Sequence, residues 1–235
     1  MGTVEAQPLT TRCARILAER EHALLGVSAL NGFFSVPVLT ELLRWARGQF
    51  ARVNVLVPGM ELTGTLAARG YRPDKVVKKA RAEINSTRNR VTRALNALEA
   101  TDVGVFSWTD LYGVPAYTRM RAQLGHLFAT DSTFREHCVA ALAPIVDSGT
   151  PSEQQVEDAI PFLLAELPLV LDTPSIVGSR TSLFCYPRVM PMANWLFAGM
   201  LPVFPSSGQG ILTIRLTSIA AGEDHEAQVL YRGGT

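Results

Sequence analysis

A short apolar run that ends in a serine and leads into an amphipathic helix places the strongest constraint on the fold. Residues 23–27 are apolar (A-L-L-G-V), Ser28 follows them, and a turn-rich segment with Asn31 and Gly32 comes next. Ser35 then precedes V-P-V-L-T-E-L-L-R-W-A, whose apolar spacing predicts a helix to about residue 47. A second apolar run, residues 53–58, is closed by Pro-Gly. Strand, helix and strand in this order predict parallel pairing through a right-handed crossover.

Ser28 stands just beyond the end of the first predicted strand. Ligands of open α/β sheets bind past the carboxyl ends of the strands, so Ser28 is a candidate site residue. A turn residue or a helix cap is the commoner role of a serine at such a position. The surrounding sequence is not G-x-S-x-G, G-x-G-x-x-G or G-x-x-x-x-G-K-[ST]. It therefore indicates no hydrolase elbow, no dinucleotide-binding turn and no P-loop.

The rest of the chain continues the alternation of strands and helices. Helices are predicted at 11–20, 73–102, 117–128, 132–145 and 192–199, and strands at 103–108, 181–186 and 211–216. Another helix is expected to begin at the cap Thr150-Pro151, to kink at Pro161 and to run to Pro168. We predict an α/β fold with a Rossmann-type parallel sheet and helices on both faces. It forms a single domain, 1–235, with flexible ends at 1–10 and 220–235.

The composition supports a cytoplasmic protein. The chain has 235 residues and is 47% apolar, which suits one large domain with a sizeable core. No N-terminal signal is recognised, and no uninterrupted apolar run reaches the roughly 18 residues of a membrane span. The three cysteines are widely spaced and form no metal pattern or disulfide framework, which favours a reducing compartment. They are Cys13, Cys138 and Cys185.

The predicted helix over residues 73–102 concentrates positive charge in a chain whose net charge is only +1. A solvated helix face is the commoner explanation, and the alternative is a patch that attracts the phosphates of a polyanion. No aromatic side chains interleave the cations, so base stacking on this helix is not expected. The expected mode is backbone contact, which suits a structured RNA that is read by its shape, and no DNA partner is predicted. The apolar stripe of this helix is Val77, Ala80, Ile84, Val91, Leu95 and Leu98. Its seven cations are Lys75, Lys78, Lys79, Arg81, Arg88, Arg90 and Arg93.

Glu166 is the one charged residue in the apolar run I-P-F-L-L-A-E-L-P-L-V-L, residues 160–171. A carboxylate is costly to bury without a partner. Glu166 either lies on an exposed turn of a half-buried helix or is kept inside to meet a cationic ligand. Phe162 lies one turn earlier on the same face. His126 and His137 have no carboxylate or cysteine at ligand spacing, so no metal site is predicted.

Three features together resemble the cyclodipeptide synthase family over roughly residues 20–215. G-V-S-A-L-N-G-F-F-S resembles the segment around that family's serine nucleophile. F-L-L-A-E-L-P and F-C-Y-P place Glu166 and Tyr186 twenty residues apart, as the family's glutamate and tyrosine are. The third feature is the Arg/Lys-rich helix between the second and third strands. The resemblance implies a Rossmann-type domain related to class I aminoacyl-tRNA synthetases, although no H-I-G-H or K-M-S-K-S segment is found here.

The resemblance implies an aminoacyltransferase that joins the aminoacyl groups of two aminoacyl-tRNAs and needs neither ATP nor a metal. Ser28 would carry first an aminoacyl and then a dipeptidyl group in ping-pong order, and a 2,5-diketopiperazine would be released. Glu166 would pair with the substrate ammonium and later help to deprotonate the attacking amine. Tyr186 would orient the substrate or relay that proton, and Asn31 would bind the substrate's backbone. A monomer is expected, with the tRNA acceptor arm held by the basic helix, best by Arg88, Arg90 and Arg93.

The chain departs from the family pattern in two places. Members often have a tyrosine where this chain has Phe162, so the hydroxyl that helps to hold the substrate amine is lost or supplied elsewhere. Asn31 suits one branch of the family, whereas Tyr186-Pro187 suits the other; the dipeptide is more distinctive and favours the second branch. The aminoacyl pockets would be lined, by position, by Leu24, Gly26, Leu56, Leu169 and Phe184.

Two other classes of function remain open from the sequence. A serine hydrolase or transacylase on an α/β sheet would need a histidine base, and His22, His126, His137 and His225 offer no obvious candidate. A non-catalytic RNA-binding module would explain the basic helix. It would not explain a glutamate in an apolar run or the serine loop at the end of the first strand.

Overall fold

The computed structural model describes residues 2–218, which form a six-stranded sheet with helices on both faces. The sheet order is β1-β6-β5-β2-β3-β4. The strands are β1 Gly2–Pro8, β2 His22–Gly26, β3 Arg52–Val57, β4 Gly104–Ser107, β5 Ser182–Tyr186 and β6 Gln209–Ser218. The helices are α1 Thr11–Glu19, α2 Val36–Gln49, α3 Leu62–Ala68, α4 Pro73–Ala97, α5 Pro115–Thr130, α6 Ser132–Leu142, α7 Glu153–Val177 and α8 Pro191–Phe197.

β2 lies in the middle of the sheet, and all five of its residues are buried. It pairs in parallel with β3 on one side and with β5 on the other, and in this register Leu24 lies beside Asn54 of β3 and Phe184 of β5. The chain passes from β2 through α2 directly to β3, whereas β5 follows more than a hundred residues later. The carboxyl end of β2 is therefore a topological switch point, where α/β folds bind their ligands. The predicted parallel pairing of β2 and β3, with a helix between them in the chain, is confirmed.

The strands send alternate side chains into two cores, one on each face of the sheet. Leu24 and Phe184 belong to the core that α5, α6, α7 and α8 cover. Leu25 and Cys185, their neighbours along the strands, belong to the core that α1, α2 and α4 cover. Burial on both faces explains why these strands read as continuous apolar runs. The predicted Rossmann-type α/β architecture is confirmed.

The N-terminal segment departs from the prediction that residues 1–10 are flexible. Residues 2–8 form β1, which pairs antiparallel with β6 in an unbroken register from Gly2 opposite Ser218 to Pro8 opposite Leu212. The sheet is therefore mixed, with four parallel pairings and this one antiparallel edge. The prediction failed because β1 becomes ordered through a partner strand at the far end of the chain. The other predicted flexible segment, 220–235, lies outside the described residues.

The long basic helix, α4, is shorter than predicted and ends at Ala97, because Glu99 adopts a left-handed φ of 49°. Its buried face includes Val76 rather than Val77, which is 45% exposed. Val76, Ala80 and Ile84 pack with α3 in a small separate core. This core also contains Ala29, the residue after Ser28, so the first half of α4 supports the serine loop.

The helix that carries Glu166, α7, begins later and ends later than predicted. Its N-cap is Ser152, whose Oγ accepts a hydrogen bond from the Gln155 backbone N–H at 3.2 Å. It continues past Pro168 to Val177. The kink predicted at Pro161 lies elsewhere: the one residue of the helix with non-helical backbone angles is Asp172 (φ −156°), two residues before Pro174.

Within the described part of the chain, α7 is also the one helix long and apolar enough to span a membrane by length and composition. However, 61% of its most apolar window is buried inside the protein, as expected of a core helix. It packs against α3, α5 and α6. The contact with α3 is close, because a Cβ at Gly64 would overlap the carbonyl oxygen of Asp158.

Candidate active site

A cavity of about 640 Å³ opens at the switch point, beyond the carboxyl ends of β2, β3 and β5. The three predicted catalytic residues, Ser28, Glu166 and Tyr186, all line it. They come from the loop after β2, from the middle of α7 and from the last residue of β5. Asn31 and Phe162 line the same cavity. The fold therefore brings together polar side chains that lie up to 158 positions apart in the sequence.

The serine loop is held at both of its ends. The Val27 backbone N–H donates to the Leu56 carbonyl at 2.9 Å, which continues the β2–β3 ladder as far as the residue before Ser28. On the other side, Asn31 Oδ1 accepts from the Phe33 backbone N–H at 3.0 Å and so forms an Asx turn. Ser28 itself is partly exposed. The carboxamide oxygen of Asn31 shapes the loop, and its amide nitrogen remains as a donor for a ligand.

Glu166 lies in the cavity wall without an ion-pair partner among residues 2–218. Burial disfavours the charged carboxylate and raises the pKa of Glu166 from 4.5 to about 7. A carboxyl group with this pKa is divided between its charged and neutral forms near neutral pH. Charge on Glu166 would be stabilised by a cationic ligand, so the site is suited to an ammonium group and to proton transfer.

Tyr186 is positioned by close packing around Gly26. A Cβ at Gly26 would come within 2.9 Å of Phe184 Cζ and 3.3 Å of Tyr186 Cδ2, so only glycine lets both rings lie against β2. The Tyr186 ring also packs against Phe34, with centroids 5.9 Å apart. The aromatic side chains thus fix the tyrosine at the edge of the cavity, beside the loop that carries Ser28.

Phe162 contributes an apolar wall in place of a hydroxyl. Its ring meets that of Trp108 edge to face, with centroids 4.8 Å apart. Trp108 also lines the cavity, and the sequence analysis did not identify it. Its position at the end of the predicted 103–108 strand was the available signal, because that end lies at the same edge of the sheet as Ser28.

Of the five residues expected to line the aminoacyl pockets, only Gly26 and Leu56 do so. The other three are corrected: they are fully buried in the core and lie outside the cavity wall. The strand residues lie one pleat deeper than the cavity, two positions before the residues that reach it. The three buried residues are Leu24 of β2, Phe184 of β5 and Leu169 of α7. Pro187 does not line the cavity either.

The segment after β5 supplies a side of the cavity that the sequence analysis missed. Arg188, Val189, Met190 and Met192 line it, and Arg69 of the α3–α4 loop adds a second cation. Val189 is 40% exposed, so this side is open to solvent. The position of the segment directly after a predicted parallel strand was the signal for its role.

The cations of α4 are not equally available to a ligand. Lys79 forms an ion pair with Glu83 (2.7 Å) and Arg88 forms one with Asp110 (3.4 Å). Arg90 is half-buried and donates to Thr87 Oγ1 at 3.0 Å. Exposed cations without an acidic partner in the described part of the chain are Lys75, Lys78, Arg81 and Arg93. Of the three residues preferred from the sequence, Arg93 is thus the most available.

No histidine within residues 2–218 lines the cavity. His22 is buried at the amino end of β2, where Nδ1 lies 2.7 Å from Ser182 Oγ and Nε2 lies 2.9 Å from Asn54 Oδ1. His137 packs against Trp195, with ring centroids 4.7 Å apart, and His126 is exposed on α5. The described residues also include no metal-binding group of three or more His, Cys, Asp or Glu. A hydrolase triad is therefore not assembled among them.

The fold and the site define a Rossmann-type α/β protein with a serine, a glutamate and a tyrosine around one cavity at its switch point. The sequence model of the cyclodipeptide synthase family matches residues 4–216, so the chain belongs to the cyclodipeptide synthase family.

Cyclodipeptide synthases of other organisms are similar in sequence to this chain over most of their length. A cyclo(L-leucyl-L-leucyl) synthase of Bacillus subtilis (strain 168) is 28% identical over 219 residues, which cover 89% of this chain and 88% of the relative. A cyclo(L-tyrosyl-L-tyrosyl) synthase of Mycobacterium tuberculosis is 28% identical over 213 residues, which cover 87% of this chain and 73% of the relative. A solved Mycobacterium tuberculosis structure superimposes with a TM-score of 0.83 at 27% identity, covering 90% of this chain and 92% of that one. That structure is described as relating cyclodipeptide synthetases to type I tRNA synthetases.

Proposed function

We propose that this protein is a tRNA-dependent cyclodipeptide synthase, which joins the aminoacyl groups of two aminoacyl-tRNAs into a 2,5-diketopiperazine. The observation that carries the proposal is the unpaired, desolvated Glu166 in the same cavity as Ser28 and Tyr186. An aminoacyl ester brings an ammonium group and an electrophilic carbonyl together. The cavity offers a carboxylate for the first and a hydroxyl for the second.

In the first step, Ser28 Oγ attacks the ester carbonyl of the first aminoacyl-tRNA while Glu166 pairs with its ammonium. The Ser28–acyl bond forms, the ester bond to the terminal ribose breaks, and the ribose hydroxyl leaves with a proton. A ribose ester is already a reactive acyl donor. This chemistry explains why neither ATP nor a metal is expected, and why a serine can act without a histidine base.

In the second step, the amine of the aminoacyl group on Ser28 attacks the ester carbonyl of the second aminoacyl-tRNA. A peptide bond forms, the ester bond to the second ribose breaks, and the ribose hydroxyl leaves with a proton, so that a dipeptidyl group remains on Ser28. Glu166 has a pKa of about 7, which suits it to accept a proton from an attacking amine near neutral pH. The free amine then closes onto the Ser28 ester, releasing the cyclic product and regenerating the hydroxyl. Closure is intramolecular, so holding the chain ends together removes much of the barrier. Tyr186 orients the amine or relays its proton, and Asn31 binds the substrate's backbone.

The substrates also explain the charge on α4. Its exposed cations would hold the acceptor arm of the first tRNA beside the serine loop, since α4 and that loop share one small core. Because aminoacyl-tRNAs are made where translation occurs, the reaction belongs in the cytoplasm, and one chain provides every proposed catalytic group. With Phe162 in place of a tyrosine, Glu166 carries the recognition of the ammonium.

The covalent step can be tested directly by intact-protein mass spectrometry. The purified protein is mixed with each of the twenty aminoacyl-tRNAs in turn. With at least one of them it should gain the mass of one aminoacyl residue, and peptide mapping should place that residue on Ser28. Ser28→Ala should gain no mass. Ser35→Ala, in the same loop but at the start of α2, is the matched control and should be acylated like the wild type. Binding of tRNA without acylation by any of the twenty would instead favour an RNA-binding module.

A further inference from the structure

The cavity is polarised between an inner acid and an outer cation. Glu166 is desolvated in the α7 wall, whereas Arg188, two residues after Tyr186, is exposed on the side formed by the segment after β5. No carboxylate within residues 2–218 forms an ion pair with Arg188. The other cation of the wall, Arg69, is half-buried, and its Nε donates to the Ile145 carbonyl at 2.7 Å. Arg188 is therefore the exposed cation of the wall.

This arrangement matches the charge pattern of an aminoacyl nucleotide. Its ammonium lies on one side of the ester carbonyl and its nearest phosphate on the other, one ribose away. With the ammonium at Glu166 and the carbonyl at Ser28, the ribose and phosphate extend toward the open side of the cavity. A guanidinium group is suited to a phosphate there, because its planar fork donates two parallel hydrogen bonds to two oxygens.

We infer that Arg188 binds the last internucleotide phosphate of the acyl-donor tRNA, the phosphate that precedes the aminoacylated nucleotide. The inference rests on the proposed function and adds an interaction within the cavity itself, separate from the cations of α4. Arg188 aligns the terminal ribose so that its ester carbonyl faces Ser28. The interaction acts at one phosphate, in contrast to the distributed attraction of a basic helix face.

The test replaces that phosphate by a neutral methylphosphonate in an otherwise intact aminoacyl-tRNA. Single-turnover acylation of Ser28 is measured for the natural and the neutral substrate, with wild type and with Arg188→Ala. A charge-assisted hydrogen bond predicts that the wild type prefers the natural substrate by roughly tenfold or more. For Arg188→Ala the ratio should fall close to one, as in a double-mutant cycle between residue and phosphate. Because each ratio is internal to one protein preparation, a partly misfolded variant does not disturb it.

The matched control is Arg15→Ala, which removes the same charge from an exposed position on α1, outside the cavity. It should keep the wild-type ratio. Equal rates for the two substrates with wild-type protein, or an undiminished ratio in Arg188→Ala, would overturn the inference while leaving the acyl-enzyme intact. Failure of the natural substrate to acylate Ser28 at all would instead overturn the proposed function, and the inference with it.

Discussion

At the scale of single residues, the desolvated carboxyl of the half-buried Glu166 makes opposite contributions to stability and to function. Burial raises its pKa from 4.5 to about 7, so the folded protein holds a proton that the unfolded chain releases. The stability contributed by the protonated form is complete below about pH 4.5 and is lost as the pH rises through about 7. The protein thus retains an acid that destabilises it at alkaline pH, as expected where a ligand supplies the missing cation.

Replacing Glu166 by Gln separates these two contributions. Glu166→Gln should be more stable than wild type at pH 8, by up to about 3 kcal/mol, and the gain should disappear toward pH 4.5. Urea unfolding of both proteins at a series of pH values measures this difference in the free energy of unfolding. Acylation of Ser28 by aminoacyl-tRNA should fall by roughly 10- to 100-fold, because the amide cannot balance the ammonium charge. A variant less stable than wild type at pH 8 would show that the carboxylate has a partner.

Gly26 provides a second prediction at this scale. A Cβ there would press on Phe184 and Tyr186, so Gly26→Ala should destabilise the protein by about 1–3 kcal/mol and reduce acylation by displacing Tyr186. Gly48, exposed in α2 with open space around its Cα, is the matched control. Gly48→Ala should be neutral or stabilising by about 0.5–1 kcal/mol. Equal effects of the two substitutions on urea unfolding would argue against a close approach at Gly26.

At the scale of elements, α4 contributes through the cations that other side chains leave free. Lys78→Gln combined with Arg81→Gln should lower the slope of log affinity for tRNA against log salt concentration by roughly 0.7–0.9 for each phosphate that is no longer neutralised. Filter binding between low and physiological salt measures the slope. The control pair, Arg15→Gln with Arg215→Gln, removes two exposed cations from α1 and β6. This pair should leave the slope of log affinity against log salt concentration as in wild type. A slope lowered equally by both pairs would mean that only net charge matters.

His22 joins three strands at the end of the sheet opposite the cavity. It lies on β2 and hydrogen-bonds Asn54 of β3 and Ser182 of β5. Burial is the main cause that lowers its pKa from 6.5 to about 4, so the folded protein keeps the imidazole neutral. Its contribution to stability is therefore present above pH 6.5 and is lost as the pH falls toward 4, by up to about 3 kcal/mol.

His22→Gln tests this contribution. The variant loses the titrating group, so its free energy of unfolding should fall less than that of wild type between pH 6.5 and pH 4, although its stability at pH 7 is lower. His126→Gln, an exposed position on α5, is the control and should follow the wild-type profile. The idea fails if the two variants show the same pH profile by urea unfolding.

At the scale of the whole molecule, Glu166 and His22 have opposite effects on the pH dependence of stability. Between pH 4.5 and 6.5, stability from Glu166 decreases with rising pH while stability from His22 increases. Glu166 lies in the wall of the cavity beyond the carboxyl end of β2, whereas His22 lies at the amino end of β2. The pH dependence of each single variant is therefore more informative than that of the wild type.

Local sequence patterns predicted those parts of the fold that local physics determines. The apolar runs of β2 and β3 and the helix between them identified the crossover, and with it the position of Ser28. The resemblance of short motifs then linked Ser28, Glu166 and Tyr186, which the fold brings into one cavity. What the sequence did not predict depends on distant partners. β1 pairs with β6, and the depth of Leu24 and Phe184 follows from the pleat relative to the cavity.

Other corrections have the same origin. Trp108 and Arg188 carry no motif, and they reach the cavity because parallel strands end at one edge of the sheet. In α7, the non-helical residue is Asp172 rather than one at the earlier Pro161. A proline pattern alone does not determine which of three interior prolines disturbs a helix, because packing against α3 and α5 also acts on it.

The most direct test of the account is product analysis with purified components. Wild-type protein, Ser28→Ala and Ser35→Ala are each incubated with a complete set of isotopically labelled aminoacyl-tRNAs, and small molecules are identified by mass spectrometry. We expect labelled cyclic dipeptides from wild type and Ser35→Ala, and none from Ser28→Ala. Cyclic dipeptides formed at the wild-type rate by Ser28→Ala, or only free amino acids from all three proteins, would contradict it.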